Sequence, residues 1–190
     1  LVVKLGAAYG ATIGMGKNIS LSRDQTAASR LFSRAFASGV LSVGVHIQNL
    51  ETTALPVART QVASLDVAGG VHVRIAPDQT REKISIEFLD AQGLNISPQA
   101  EKKIEATYQK EDFRRARVME LGEIQYPSRI LEKYQESFLK YLSSYEPTRR
   151  VKVVLDYMFQ VSNVILPNLL GKCNVDAVVL NAHVNEGPLR

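Results

Sequence analysis

The spacing of apolar residues switches several times between the period of a helix and that of a strand. Apolar side chains at helical spacing predict an amphipathic helix over residues 1–15. Strand and helix patterns then alternate, at residues 18–22 (strand), 24–43 (helix), 45–50 (strand), 56–64 (helix) and 70–75 (strand). Strands separated by helices of this length are typical of a mostly parallel sheet with right-handed crossovers. The pattern therefore predicts an α/β fold.

Residues at the ends of these segments support the same assignment. Asp24 or Thr26 can cap the second helix, because either side chain can accept a hydrogen bond from a free N–H group of its first turn. Gly44 is expected to end that helix. Pro56 lies where a first-turn proline is tolerated, so it predicts the start of the third helix.

The pattern changes after residue 75. Apolar and polar residues alternate over residues 84–89, too soon after the preceding strand for a crossover helix. This strand is therefore predicted to run antiparallel to its neighbour. Further helical patterns follow at residues 98–108 and 128–144. Together these elements predict a three-layer αβα domain with a mixed, mostly parallel sheet.

A second, smaller unit is predicted near the end of the chain. Glu146-Pro147-Thr148 is the best candidate for a linker, because proline and polar residues interrupt the periodic pattern there. A strand, a helix and a strand are then predicted at residues 151–156, 161–172 and 175–181, with the helix broken or offset at Pro167. We therefore expect one domain over residues 1–146 and part of a second over residues 147–190.

Composition excludes several classes of protein. The 190 residues are 45% hydrophobic and 22% charged, which is ordinary for a globular chain. The net charge of +4 is mild, and Arg114-Arg115-Ala116-Arg117 is more typical of a solvated face than of a nucleic-acid site. The apolar start of the chain is too short to span a membrane. Cys173 is the single cysteine and fits a reducing cytoplasm, so we expect a cytoplasmic protein with neither nucleic acid nor membrane as partner.

Several separated segments resemble the α-D-phosphohexomutase (phosphoglucomutase/phosphomannomutase) family, in order and spacing. Residues 18–26, Asn-Ile-Ser-Leu-Ser-Arg-Asp-Gln-Thr, resemble its Val-Val-Val-Gly-Arg-Asp-Thr-Arg segment, and Thr53-Ala-Leu-Pro56 resembles its Pro-Thr-Pro. Residues 152–156, 166–170 and 179–182 resemble the opening of its second domain. The resemblance implies the fold of the family's first domain, followed by part of the second.

The resemblance fails at the catalytic loop of the family. Its strand, Thr-Ala-Ser-His-Asn-Pro loop and Gly-Ile-Lys-Phe-Phe strand correspond to residues 69–77 and 84–90 of this chain. The Thr-Ala-Ser triplet, which carries the phosphoserine, falls on Arg74-Ile75-Ala76, the His-Asn pair is missing, and Pro77 follows directly. The family's lysine falls on Glu87, and the second arginine of its turn on Thr26. We therefore predict no catalytic residue in this chain.

The resemblance also implies a cofactor that this sequence does not provide for. Members of the family hold Mg²⁺ in an Asp-Gly-Asp-Ala-Asp loop, and no such loop or substitute acidic cluster occurs here. Phosphoryl transfer needs a nucleophile, a metal ion and fixed positive charge around the moving group. We predict no cofactor and no metal ligand in this chain.

Three retained basic residues are candidates for binding an anion. His72 and Arg74 are two positions apart on a strand and so share one face, and Arg23 lies in the turn after the first strand. Together they could hold a phosphate or carboxylate, with a sugar phosphate as the candidate ligand. The more ordinary interpretation is a structural turn at Arg23 and a solvated strand face at His72 and Arg74. His46 is expected to be a half-buried strand residue.

Two main hypotheses for function follow. Residues 69–74 and Glu111-Asp-Phe-Arg-Arg115 resemble the phosphomannomutase-like region at the C-terminal end of bacterial mannose-1-phosphate guanylyltransferases, which are nucleotidyltransferase fusions. This resemblance implies a non-catalytic region with a regulatory, assembly or sugar-phosphate-binding role. The alternative is a fragment of an active mutase with a shifted nucleophile, Ser85 or Thr80. A stand-alone binding module is a weaker option. The apolar strands of the tail also predict a homo-oligomer.

Overall fold

The structure is a computed structural model that describes residues 1–77, 82–144, 150–157, 161–173 and 175–183. The chain forms two compact units, Leu1–Ser128 and Arg129–Arg190. The first unit contains α1 (Val2–Ile13), β1 (Asn18–Arg23), α2 (Ala27–Leu41), β2 (His46–Thr52), α3 (Leu55–Ser64), β3 (Gly70–Ile75), β4 (Ile84–Leu89), α4 (Pro98–Lys110), a short 3₁₀ helix (Val118–Glu120) and β5 (Ile124–Gln125).

The five strands of the first unit form one sheet, in the order β4-β3-β1-β2-β5. β1 pairs in parallel with β2 and with β3, and β2 pairs in parallel with β5. β4 pairs antiparallel with β3, as the short gap between the two strands predicted. The mixed, mostly parallel sheet is therefore confirmed. The short strand β5 was not predicted, because two residues give no readable period.

Helices cover both faces of this sheet. On one face, Val71 and Val73 of β3 are fully buried in a core that includes Phe36 of α2 and Ile104 of α4. On the other face lies α3, since a side chain at Gly70 would meet Val62 of that helix. The alternating side chains of β3 thus contact a different helix layer on each face, which is the predicted three-layer arrangement.

Two glycines allow α1 and α2 to approach each other closely. A Cβ atom on Gly6 would lie 2.2 Å from the carbonyl oxygen of Phe36, and one on Gly39 would lie 2.0 Å from that of Val3. Both distances are far below van der Waals contact, so no larger residue fits without moving a backbone. The aromatic rings of Tyr9 and Phe36, with centroids 5.9 Å apart, pack beside this crossing.

The predicted helix ends are largely confirmed. Thr26 is the N-cap of α2, and its Oγ1 accepts a hydrogen bond of 3.2 Å from the backbone N–H of Ser29. Gly44, with a φ of 78°, lies in the left-handed region in the turn that follows α2. Pro56 lies in the first turn of α3. These caps position the start of α2 at the carboxyl end of β1.

The second unit contains α5 (Ile130–Leu142), β6 (Val151–Asp156), a 3₁₀ helix (Val161–Val164), α6 (Leu166–Leu170) and β7 (Val175–Leu180). β6 and β7 pair in parallel as a two-stranded sheet, which confirms the predicted strand-helix-strand unit. The single helix predicted over residues 161–172 is wrong in extent. It forms two short pieces, because Pro167 lies in the first turn of α6, where its missing N–H is tolerated.

The boundary between these units differs from the predicted domain boundary in one respect. By compactness, α5 belongs to the second unit, whereas the sequence-based division after residue 146 assigns it to the first domain. The proposed linker, Glu146-Pro147-Thr148, lies outside the described residues. The division into residues 1–146, which resemble the family's first domain, and residues 147–190, which resemble part of its second, therefore stays a prediction.

Candidate functional site

The parallel strands of the first unit end along one edge of the sheet. β1 ends at Arg23, β2 at Thr52 and β3 at Ile75, and the turns that follow them lie at this same edge. In open α/β sheets, ligands bind at the carboxyl ends of the strands. Arg23, Arg74 and Ile75, which the sequence suggested for a site, lie at this edge, and we call it the carboxyl edge.

Asp24 joins two of the turns at the carboxyl edge. Its Oδ2 accepts a hydrogen bond of 2.8 Å from the backbone N–H of Ile75. Its Oδ1 accepts from the backbone N–H and the hydroxyl of Thr26, at 2.8 Å and 2.7 Å. The carboxylate thus links the end of β3 to the cap of α2. Its charge is held by three donors within the protein, so Asp24 has a structural role.

Arg74, Ile75 and Ala76, which the resemblance aligns with the family's catalytic triplet, carry no hydroxyl group that could act as an oxygen nucleophile. Ile75 is half-buried and lines an apolar cavity of about 1180 Å³ together with side chains of α1, α4 and β4. The backbone N–H of Ala76 donates to the carbonyl of Lys83, which extends the pairing of β3 with β4. Pro77 is exposed. This part of the loop therefore continues a hairpin.

Arg74 and Glu87 neutralise each other across the same pair of strands. Nε of Arg74 lies 2.5 Å from Oε1 of Glu87, and the two side chains are 32% and 20% exposed. Glu87, which the resemblance aligns with the family's lysine, therefore forms an ion pair with one of the predicted anion-binding residues. Binding a phosphate through Arg74 would require the ion to compete with this partly buried carboxylate.

His72 is buried and uncharged at neutral pH. It is 2% exposed, and its Nδ1 lies 2.8 Å from the hydroxyl oxygen of Ser22, which is also buried. Burial lowers the pKa of His72 from 6.5 to about 4, although the negative charges of Glu87 and Asp24 act in the opposite direction. His72 therefore carries no positive charge at pH 7 and contacts no solvent. The solvated strand face suggested by the sequence is wrong for this residue.

Arg23 lies on the opposite face of the sheet from His72 and Arg74. In the parallel pairing of β1 with β3, Ser22 is opposite His72, and Arg23 is opposite the core residue Val73. Nη1 of Arg23 donates to the carbonyl of Asp24 at 3.1 Å and to Oγ1 of Thr52 at 2.5 Å. The three candidate anion-binding residues therefore do not converge. The sequence missed this, because the register between β1 and β3 cannot be read from either strand alone.

The two hydroxyl groups that the sequence suggested as alternative nucleophiles belong to Ser85 and Thr80. Ser85 is half-buried on β4, directly opposite Arg74, and Thr80 lies outside the described residues. Among the described residues there is no group of three or more His, Cys, Asp or Glu side chains that could hold a metal ion. The chain's described residues therefore do not fit the Mg²⁺ of the family. His46 is half-buried in β2, as predicted.

Two charged residues at the carboxyl edge were not predicted. Arg34 of α2 and Glu51 of β2 both line a small cavity that also includes Arg23. A weak signal for Arg34 was readable from its spacing, because it lies four residues after Arg30 and so on the same side of α2. The backbone of Glu51 lies in the left-handed region, with a φ of 54°, which no sequence pattern indicated.

The fold and the carboxyl edge define a three-layer α/β/α domain. Residues 1–115 match the family model described as phosphoglucomutase/phosphomannomutase, alpha/beta/alpha domain I. The chain therefore belongs to the phosphoglucomutase/phosphomannomutase family. None of the described helices is long and apolar enough to cross a membrane.

Curated relatives resemble most of this chain. It is 26% identical over 188 residues to the phosphoglucosamine mutase of Natranaerobius thermophilus, an alignment that covers 96% of this chain and 41% of that protein. It is 27% identical over 187 residues to the phosphoglucomutase/phosphomannomutase of Thermococcus kodakarensis, which covers 95% and 40%. The chain thus spans about two fifths of the length of these relatives.

Solved structures agree with the fold. A phosphoglucomutase/phosphomannomutase family protein from Burkholderia thailandensis matches with a TM-score of 0.78 at 16% identity, over 97% of this chain and 40% of that chain. The open form of parafusin, a phosphoglucomutase from Paramecium, matches with a TM-score of 0.64 at 9% identity, over 97% and 40%. At these identities the likeness concerns the fold alone, and it confirms the predicted α/β class.

Proposed function

We propose that this chain is a non-catalytic phosphohexomutase region of a sugar-nucleotide pyrophosphorylase of the mannose-1-phosphate guanylyltransferase type. Its role is regulation, assembly or the binding of a sugar phosphate, in the cytoplasm. The parent's reaction, sugar 1-phosphate plus nucleoside triphosphate to give an NDP-sugar, would take place outside this chain. The relatives reported above are named as mutases, so the guanylyltransferase parent rests on the resemblance of residues 69–74 and 111–115 alone.

The observation that carries the non-catalytic part of this proposal is the loop after β3. Ala76 has no nucleophilic oxygen, and Asp24 already holds the backbone N–H of Ile75. Arg74 is paired with Glu87, so its charge is not available to a moving phosphoryl group without breaking that pair. Loss of a nucleophile alone commonly reduces the rate by about three decades or more. The combined changes favour a retained fold without the reaction.

One observation favours the alternative function, in which this chain is a fragment of an active mutase. The relatives that match almost the whole chain are named phosphoglucosamine mutase and phosphoglucomutase/phosphomannomutase. Ser85 carries a hydroxyl near the loop, but it is the second residue of β4 and is paired opposite Arg74. A hydroxyl needs a neighbouring base to act as a nucleophile. His72 cannot easily serve, because it is buried and already bonded to Ser22.

A coupled assay on the full-length protein that contains this chain distinguishes these two functions. That protein is incubated with glucose, mannose or glucosamine 1-phosphate and the matching bisphosphate activator, with the Natranaerobius phosphoglucosamine mutase as positive control. We expect no turnover above the blank. Turnover that disappears in a Ser85→Ala or Thr80→Ala variant would establish the alternative. The coding sequence before Leu1 tests whether the full-length protein is of the guanylyltransferase type. We expect a nucleotidyltransferase domain in the same reading frame, and a different upstream domain would contradict this part of the proposal.

The assembly role is proposed for the second unit. Its two-stranded sheet leaves large apolar side chains exposed, among them Val154 (67%) and Val178 (61%). Exposed strands of this kind pair readily with another chain. We therefore expect a dimer or larger assembly by light scattering, and a monomer for the Val154→Asp/Val178→Asp variant. A monomeric unmodified chain at high concentration would contradict the proposal.

A further inference from the structure

A small cavity opens at the carboxyl edge on the face covered by α2. It has a volume of about 230 Å³ and lies between α2 and the strands β1, β2 and β5. Its polar lining residues are Arg23, Ser33, Arg34, Asn49, Glu51 and Tyr126. This volume is below the roughly 300–1,000 Å³ of pockets for drug-sized ligands, so the cavity suits a small ion or a single functional group.

An irregularity in β2 determines how Arg23 is held beside this cavity. The pairing of β1 with β2 shifts by one residue, so that Leu21 is opposite Asn49 but Ser22 is opposite Glu51. As a result Thr52, and not Glu51, lies opposite Arg23. The hydroxyl of Thr52 and the carbonyl of Asp24 then accept the hydrogen bonds of Arg23 Nη1. Bulges of this kind often re-aim side chains next to binding sites.

Both partners of Arg23 are neutral oxygens, so its charge is not neutralised by direct pairing. Within the described residues, neither Arg23 nor Arg34 forms an ion pair with a carboxylate. The carboxylate of Asp24 is held by Ile75 and Thr26 instead.

The environment of Arg23 favours a counterion. Burial and the nearby charges of Arg30 and Arg34 lower the pKa of Arg23, and Glu51 and Asp24 act in the opposite direction. Arg23 is partly desolvated and is repelled by the guanidinium groups of Arg30 and Arg34, and a bound anion would relieve both penalties.

We propose that the cavity beside Arg23, Arg34 and Asn49 binds one small oxyanion of the phosphate type. The guanidinium groups of Arg23 and Arg34 provide charge-assisted donors. Oδ1 of Asn49 accepts from the backbone N–H of Glu51, which leaves the amide NH₂ of Asn49 as a further donor. Glu51 lies at the cavity as a competing negative charge and limits the affinity. This site is distinct from the face of His72 and Arg74, and it does not depend on the proposed role of the parent protein.

The test is a titration of the ¹⁵N-labelled full chain with inorganic phosphate at constant ionic strength. We expect saturable shifts of the amides of residues 49–53. Arg34→Gln should weaken binding about three- to tenfold, because it removes a charged donor that is itself exposed. Glu51→Gln should strengthen binding about two- to fivefold, because it removes the competing carboxylate. Arg34 and Glu51 are both exposed, so neither variant is expected to unfold the chain.

Two control variants and a second ligand complete the design. Arg74→Gln and Arg114→Gln should leave the affinity unchanged, since both arginines lie away from the cavity. If mannose 1-phosphate binds more tightly than inorganic phosphate, the ligand is the phosphate group of a sugar. If it binds equally or more weakly, the ligand is the free phosphate ion. The proposal is overturned if no saturable shift occurs, if Arg114→Gln weakens binding as much as Arg34→Gln, or if the shifts lie at residues 72–76 and depend on Arg74.

Discussion

The two faces of the five-stranded sheet bury different mixtures of side chains. The face towards α1 and α2 buries an apolar core that includes Ile19, Val71 and Phe36. The face towards α3 buries polar groups as well, among them Ser22 and His72. The first face depends on shape, because its helices meet at glycines without space for a methyl group. The second depends on pairing, because a buried polar group without a partner is costly.

This difference indicates which substitutions and protonation changes each face of the sheet can tolerate without loss of stability. On the apolar face, an added atom should be more harmful than a lost polar group. On the polar face, protonation of His72 should be harmful, because it places a positive charge in a buried position. The three predictions below test this contrast in order of expected effect.

The largest effect is expected at the crossing of α1 and α2. Gly39→Ala should lower the free energy of unfolding by about 2–3 kcal/mol, because its Cβ would lie 2.0 Å from the carbonyl oxygen of Val3. In an unobstructed helix the same change normally stabilises by about 0.4–1 kcal/mol. Urea denaturation measures the change. The adjacent exposed position provides the control, and Ser38→Ala should alter stability by less than about 0.5 kcal/mol.

The next effect concerns the protonation of His72 on the polar face. Its pKa is about 4 in the folded chain against the ordinary 6.5 of a solvated histidine, so the unfolded chain binds more protons between these values. Stability should therefore fall as the pH decreases from 7 towards 4, by about 1–2 kcal/mol at pH 5. The charged groups around His72 that influence this value are Glu87, Asp24, Arg74 and Arg59.

Denaturation curves at several pH values, for the unmodified chain and for His72→Asn, measure this contribution. The variant should show a flatter dependence on pH, whatever its stability at pH 7. The exposed His183 is the matched control, and His183→Asn should keep the original slope. An unchanged slope in His72→Asn would show that another group is responsible.

The smallest effect is expected at Tyr9, on the apolar face. Its hydroxyl is buried and has no hydrogen-bond partner within the described residues, and burial raises its pKa. Tyr9→Phe should therefore be neutral or stabilising by up to about 1 kcal/mol, because a poorly solvated polar group is removed while the ring contacts with Phe36 and Phe88 remain. Thermal denaturation beside Tyr108→Phe measures it. A loss of more than about 1 kcal/mol would indicate a hidden partner for the hydroxyl.

Much of the fold could be predicted from the sequence, because local patterns determined it. The order of helices and strands in the first unit, the antiparallel β4 and the cap at Thr26 all follow from period, gap length and residue type. The short strand β5 and the broken helix near Pro167 could not be predicted well, since few residues form each piece. Their conformation depends on contacts from distant parts of the chain.

The candidate site was harder to predict for a different reason. The sequence correctly placed His72 and Arg74 on one face of β3, but it could not show that Arg23 lies on the other face. Nor could it show that Glu87 would pair with Arg74, or that Arg34 and Glu51 would meet at a cavity. These facts depend on the register between strands and on the placement of α2, which are properties of the tertiary structure.

The register shift in β2 has a consequence for comparing this chain with its relatives. A bulge adds one residue to one strand of a pair, so positions after it no longer correspond one to one with a relative that lacks it. An alignment made residue by residue would then assign the role of Thr52 to Glu51. The inferred partner of Arg23 would be a carboxylate, whereas the structure has a neutral hydroxyl there. Transfer of residue roles between family members at this turn should therefore follow strand pairing, with Arg23 as the reference point.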